Sequence, residues 1–148
     1  MGLLMNTANE VAEKVKENFN DTENYLFALK CNDFKTGLFK LLLSKLYYTM
    51  DGARSFILYF SEKGIYEKEI SNTMNGNFVL MPWNEIGEFN VDLKSRKAII
   101  TLFHIGKKVL YEIPYTGTMA KSNKNMLEKL LGKNIFKLLP EYTREKVL

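Results

Sequence analysis

The chain has 148 residues, of which 46% are apolar and 13% aromatic, and this is typical of one globular domain rather than a disordered chain. The net charge of +4 includes only three arginines, so it does not indicate a surface that binds nucleic acid. The single cysteine excludes an intramolecular disulfide, and no apolar stretch approaches the roughly 18 residues of a membrane span. We therefore expect a cytoplasmic protein with one domain, residues 1–148.

The first predicted element is a helix over residues 7–19, within an N-terminal extension of residues 1–24. Thr7 followed by Glu10 fits a capping box, in which two side chains satisfy free backbone donors at the start of a helix. The apolar residues that follow have helical spacing and form one stripe, namely Ala8, Val11, Ala12, Val15 and Phe19.

Seven strands are predicted next, because runs of aromatic and β-branched residues alternate with turn residues. Asn75-Gly76 is a strong hairpin signal, since both residues accept positive φ. Pro82 marks a strand end because it has no backbone donor, and Gly87 interrupts an alternating pattern, which indicates a bulge. The predicted strands cover residues 25–31, 55–61, 65–70, 78–81, 85–93, 97–103 and 108–113.

Two further segments have helical spacing. Residues 35–50 are predicted as a helix in which Lys40 and Ser44 lie opposite an apolar half, although Leu41 interrupts the pattern. The apolar half consists of Leu38, Phe39, Leu42, Leu43, Leu46 and Tyr47. A C-terminal helix is predicted from Ser122 or Asn123, either of which can cap it, with the stripe Met126, Leu127, Leu130 and Leu131. Gly132 stands where a left-handed residue is expected to end this helix, and residues 133–148 follow as a tail.

The stretches "RSFILYFSEKGIY" and "LMPWNEIGEFNV" resemble those of bacterial pleckstrin-homology-like (PH-like) domains. In these domains an apolar strand, a Lys/Gly turn and an aromatic strand come first, and a proline-containing segment comes later. The residues that match this segment are Met81, Pro82, Ile86, Phe89 and Val91. The resemblance covers residues 25–132. It implies a mostly β, α+β fold, in which a seven-stranded antiparallel barrel is closed by a C-terminal helix, here with an added N-terminal helix. The basic residues of segment 32–54 are dispersed, so the resemblance does not imply phosphoinositide binding.

No residue pattern indicates catalysis, a cofactor or a metal site. His104 is interpreted as a histidine beside a turn and Cys31 as a core cysteine, because neither has an activating neighbour in the sequence. Glu67 and Glu69 share one face of a strand and are interpreted as a solvated edge. Trp83 is interpreted as a core anchor, since apolar residues flank it.

Basic residues cluster in two turns, with Lys94, Arg96 and Lys97 in one and Lys107 and Lys108 in the other. If the last three strands form a meander, these turns lie at opposite ends and cannot form one patch. We therefore interpret both as solubilising turns.

The strand "SFILYF" is apolar on both faces, whereas a strand that packs on one side only should alternate. Its outer face must therefore be covered by the helix at 7–19, by segment 36–47 or by a second copy of the chain.

These observations favour a non-catalytic binding module that contacts another protein or its own copy, through an exposed strand edge or segment 36–47. The candidate binding residues are Leu38, Phe39, Lys40, Leu42, Lys45 and Leu46. One alternative is peripheral binding of this amphipathic segment to an anionic membrane surface. The other is an enzyme or a small-ligand carrier, which needs a concave pocket with convergent polar groups.

Overall fold

A computed structural model describes residues 8–32, 54–70 and 77–133 of the chain. These residues form two helices and seven strands, with short 3-10 turns at Trp83–Glu85 and Thr118–Ala120. The elements are α1 (Ala8–Phe19), β1 (Tyr25–Asn32), β2 (Arg54–Phe60), β3 (Gly64–Glu69), β4 (Val79–Pro82), β5 (Ile86–Leu93), β6 (Lys97–His104), β7 (Lys107–Pro114) and α2 (Asn123–Leu131).

The predicted order of a helix, seven strands and a final helix is confirmed, and Pro82 ends its strand as predicted. The Gly87 bulge is also confirmed, because the register between β5 and β6 shifts between Gly87 and Asn90. The predicted helix at 35–50, the Asn75-Gly76 hairpin and residues 134–148 of the tail lie outside the described residues.

All seven strands belong to one antiparallel sheet with the order β4-β3-β2-β1-β7-β6-β5. The first strand joins the two halves of this sheet: its residues 25–30 pair with β2, and its residues 29–32 pair with β7. In this order β4 and β5 are the edge strands.

The main core lies on one face of the sheet, where inward residues of the strands alternate with outward ones. Leu26 and Ala28 of β1 pack in the same cluster as Phe89 of β5 and Tyr111 of β7. The α2 helix covers this cluster with two buried residues, Leu127 and Leu130. The C-terminal helix therefore packs against the main core of the sheet.

A second, smaller core lies on the opposite face, under α1. Val11 and Val15 of the helix pack with Ile57 and Tyr59 of β2. Phe19 stacks on the Tyr59 ring with centroids 3.9 Å apart and planes at 3°. The prediction that the outer face of β2 is covered is thus confirmed, and the N-terminal helix supplies part of the cover.

The prediction for the C-terminal end of α2 was wrong. Gly132 has φ −83° and ψ −5°, which is right-handed. Its N–H bonds to the carbonyls of Glu128 and Lys129 at 3.3 and 3.2 Å, and Lys133 N–H bonds to Leu130 at 3.1 Å. These short-range bonds satisfy the last carbonyls, so the helix ends without a left-handed residue.

The capping prediction for α2 is confirmed in position only. Ser122 occupies the N-cap position, but its side chain makes no capping hydrogen bond. Asn123 uses its side chain elsewhere: its Oδ1 accepts from Phe27 N–H at 3.0 Å, and its Nδ2 donates to the carbonyls of Phe27 and Pro114 at 2.9 and 2.8 Å. Asn123 therefore fastens the start of α2 to β1 and to the end of β7.

Candidate interaction surface

The candidate binding residues at positions 38–46 lie outside the described residues. Their chain neighbours are described, since β1 ends at Asn32 and β2 begins at Arg54. These two chain ends lie at the same end of the sheet, because Lys30 pairs with Arg54.

A polar cluster lies close to this end, on the face of the sheet that carries the main core. Lys30 Nζ is 2.7 Å from Glu67 Oε2, and the Tyr111 hydroxyl donates a hydrogen bond to the same oxygen. The Lys30 and Glu67 side chains are only 12% and 15% exposed, and Tyr111 is fully buried. This carboxylate thus receives two donors inside a largely apolar surrounding, as a buried charge requires.

The outer part of the cluster is more exposed. The Phe56 ring lies 5.0 Å from Lys30 Nζ and 5.3 Å from the Arg54 guanidinium carbon. Arg54 also pairs loosely with Glu69, at 3.6 Å, and both side chains are about half exposed. The Phe56 ring therefore lies between the largely buried Lys30–Glu67 pair and the exposed Arg54–Glu69 pair.

The prediction that Glu67 belongs to a solvated edge was wrong, while Glu69 is exposed as predicted. Glu67 has the same parity as Ile65, which is a core residue, so the alternation of β3 points Glu67 inward. Burial and the Glu67 carboxylate together raise the pKa of Tyr111 well above its ordinary value, so its hydroxyl remains a donor. The missed signal was the presence of Lys30 and Tyr111 at inward positions of two other strands.

Trp83 and His104 both contact other residues of the fold. Trp83 is 4% exposed and its Nε1 donates to the Ser61 carbonyl at 2.9 Å, which confirms the interpretation as a core anchor. His104 ends β6 beside a turn, and its Nε2 lies 3.0 Å from Glu85 Oε1. The backbone of Cys31 in β1 lies opposite that of Leu110 in β7.

The two basic turns lie at opposite ends of β6, as predicted, because Lys97 pairs with Pro114 and His104 pairs with Lys107. Lys97 is also 3.7 Å from Glu112 and only 15% exposed, so it contributes little to a basic surface. The positive charges of the two turns therefore do not form one basic patch.

Three large apolar side chains are exposed in the described part of the chain. Val79 on edge strand β4 is 63% exposed, Leu93 at the end of edge strand β5 is 58% exposed, and Ile105 in the β6–β7 turn is 70% exposed. All three thus lie on sheet edges or in turns, where they are accessible to another molecule.

A groove of about 430 Å³ lies on β5, β6 and β7, on the face opposite the main core. Its lining residues are Glu88, Asn90, Thr101, Leu102, Phe103 and Lys108. Lys108 Nζ lies 5.7 Å from the centre of the Phe103 ring, and Glu88 lies within the β5 bulge with φ +49°. The groove therefore has an aromatic wall with a carboxylate and an ammonium group around it.

Within residues 8–32, 54–70 and 77–133, no group of three or more His, Cys, Asp or Glu side chains is placed to bind a metal ion. No helix in these ranges has the length and apolar content needed to cross a membrane. The chain matches no protein-family model, no curated protein and no solved structure.

Proposed function

We propose that this chain is a cytoplasmic, non-catalytic PH-like module that binds protein, and that a second copy of itself is its first partner. The strand order supports the PH-like assignment, because β1 pairs with both β2 and β7 and so joins two antiparallel halves. The position of α2 over the concave core supports it as well. Barrel closure by this helix is part of the proposal.

The observation that carries the binding role is the exposure of apolar side chains at the sheet edges. Val79 and Leu93 belong to the two edge strands and are more than half exposed. An edge strand presents unpaired backbone groups that can pair with another chain, unless charge, proline or a bulge prevents it. The β5 edge has such a bulge, whereas β4 has only its terminal Pro82.

The non-catalytic part of the proposal is supported by how the described ionisable groups are used. Lys30, Glu67 and Tyr111 form a closed network whose donors and acceptor satisfy one another. His104 is paired with Glu85 at the surface. Within the described part of the chain, these arrangements hold the ionisable groups in contacts that stabilise the fold, and this supports a non-catalytic role.

Sedimentation velocity of the full chain, from micromolar to near-millimolar concentration, tests the proposed function. The apparent mass is expected to rise above the 17.2 kDa of one chain as the concentration increases. Val79→Lys places a charge on the β4 edge and should weaken association if that edge takes part, while Lys63→Ala, in the exposed β2–β3 turn, serves as the control. Strictly monomeric behaviour would contradict self-association.

A further inference from the structure

Ile105 occupies a position to which its side chain is poorly suited. Ile105 and Gly106 form the β6–β7 turn with φ +52° and +80°. Two-residue turns with positive φ at both positions favour Asn-Gly, and a β-branched residue is the least favourable choice at the first position. The Ile105 side chain is also 70% exposed. A strained, exposed apolar residue at a hairpin tip indicates that its side chain contacts another molecule.

The groove on β5, β6 and β7 lies beside this tip, on the same hairpin. Thr101, Leu102 and Phe103 line it from β6, and the Ile105 turn follows two residues after Phe103. Its volume of about 430 Å³ exceeds that of an isoleucine side chain. The protein therefore presents an apolar tip and a partly aromatic groove side by side.

The tip carries an exposed basic residue, and the groove carries an exposed acidic residue in addition to Lys108. Lys107 follows the tip and Glu88 lines the groove, and both residues are exposed. Neither makes an ion pair with another described residue. A tip that enters a second copy's groove would bring an ammonium group towards a carboxylate.

We propose that two copies of this chain associate about a twofold axis, with Ile105 of each copy in the groove of the other and Lys107 of each facing Glu88 of the other. The inference rests on the proposed self-association and specifies its surface. Because the tip and the groove are contiguous on one hairpin, a single axis satisfies both contacts at once. A membrane is the less favoured occupant, since Glu85 and Glu88 beside the tip offset the positive charges of Lys107 and Lys108 and leave no net attraction to anionic lipid.

The first test is Ile105→Asn in the full chain, with sedimentation velocity and thermal unfolding as readouts. Asparagine accepts positive φ, so the midpoint of thermal unfolding should stay the same or rise by a few degrees. The dissociation constant of the dimer should rise about tenfold or more, because the apolar anchor is lost. Lys63→Ala, in the exposed turn between β2 and β3, is the control and should leave the dissociation constant unchanged.

A charge exchange tests the predicted register. Lys107→Glu and Glu88→Lys should each weaken self-association several-fold, because each places like charges opposite one another in both contacts. An equimolar mixture of the two variants should form mixed dimers more tightly than either variant forms its own, since both contacts then join opposite charges. A contact between Lys107 and Glu88 within one chain cannot produce this preference.

The outcomes separate this inference from the proposed function. Wild-type chain that remains monomeric contradicts both. Wild-type dimers that are unaffected by Ile105→Asn and show no preference for mixed charge variants overturn the groove contact and leave self-association standing. Monomeric protein that binds phosphatidylserine–phosphatidylcholine vesicles, and loses this binding in Ile105→Asn, assigns the tip to a lipid surface and likewise overturns the groove contact.

Discussion

Tyr111 of β7 donates a hydrogen bond to Glu67 of β3, although β1 and β2 lie between these strands. Neighbouring strands are about 4.8 Å apart, so in a flat sheet these two strands would be roughly 14 Å apart. The direct contact therefore requires a strongly curved sheet. Lys30 of β1 binds the same carboxylate from between them, so one buried acid links both halves of the sheet.

Tyr111→Phe removes this link and keeps the ring in the core. We expect the free energy of unfolding, measured in urea, to fall by about 1–2 kcal/mol, because Glu67 loses a buried donor and keeps only Lys30. Tyr115→Phe is the control, since Tyr115 is partly buried and its hydroxyl makes no hydrogen bond to a described residue. Equal losses in the two variants would show that the link contributes nothing specific.

The same tyrosine predicts a loss of stability in alkali. Burial, followed by the Glu67 carboxylate, raises the pKa of Tyr111 well above 10.0 in the folded protein. The fold therefore favours the protonated hydroxyl, and this contribution is complete below pH 10.0 and is lost as the pH rises towards the folded-state pKa. The stability difference between wild type and Tyr111→Phe should shrink above about pH 10, and a constant difference would contradict the assignment.

Asn123 is predicted to be the main polar anchor of α2. Its side chain is buried and makes three hydrogen bonds to the backbone of Phe27 and Pro114. Asn123→Ala should lower the free energy of unfolding by about 3 kcal/mol, because three buried backbone groups lose a partner. Asn123→Asp should lower it at least as much at neutral pH, since a carboxylate would face two carbonyls. Asn125→Ala, on the exposed face of α2, should change it by less than about 0.5 kcal/mol.

The elements and their order could be predicted because hydrophobic periodicity is a local signal. The 3.6-residue period of α1 and the alternation of β5 and β7 are visible in the printed sequence. The role of Asn123 could not be predicted, because it depends on the backbone of a distant part of the chain, and the burial of Glu67 was indicated only by basic and phenolic residues at inward positions of two other strands. Asn123 looked like a helix cap and Glu67 like a surface acid, since sequence spacing alone carries no information on partners from other strands.

The groove beside Ile105 also escaped sequence analysis. The β5 bulge was predictable from Gly87, but its effect on Glu88 depends on the pairing of β5 with β6. The positive φ of Ile105 was not predicted either, because isoleucine is not a turn-forming residue. The turn itself was predicted from the two flanking strands, but its backbone conformation was not, because residue preferences do not indicate a positive φ at an isoleucine.

Phe19 is predicted to control the attachment of α1. Its ring stacks on Tyr59 and lies 4.8 Å from the rings of Tyr66 and Phe78. Phe19→Ala should lower the free energy of unfolding by about 2–3 kcal/mol and increase amide hydrogen exchange in α1 more than in the β-sheet. Lys16→Ala, on the exposed side of α1, is the control and should leave exchange unchanged. A uniform increase over the whole protein would mean that α1 and the sheet unfold as one unit.

Glu112 is predicted to oppose stability at neutral pH. Its Oε1 is buried without a hydrogen-bond partner in the described part of the protein, and Lys97 Nζ lies 3.7 Å from Oε2. Burial raises the pKa of Glu112 above 4.5, although Lys97 acts in the opposite direction. The fold thus favours the protonated acid, and this contribution is present below pH 4.5 and is lost as the pH rises through the folded-state pKa.

Glu112→Gln removes the charge and keeps the shape of the side chain. Relative to wild type, the variant should gain up to about 1 kcal/mol in the free energy of unfolding at pH 7 and nearly nothing at pH 4, where wild-type Glu112 is protonated. Glu128→Gln, on the exposed face of α2, should behave alike at both pH values. If Glu112→Gln is less stable than wild type at pH 7, attraction to Lys97 outweighs the burial of the charge, and the pair stabilises the β6–β7 hairpin instead of opposing it.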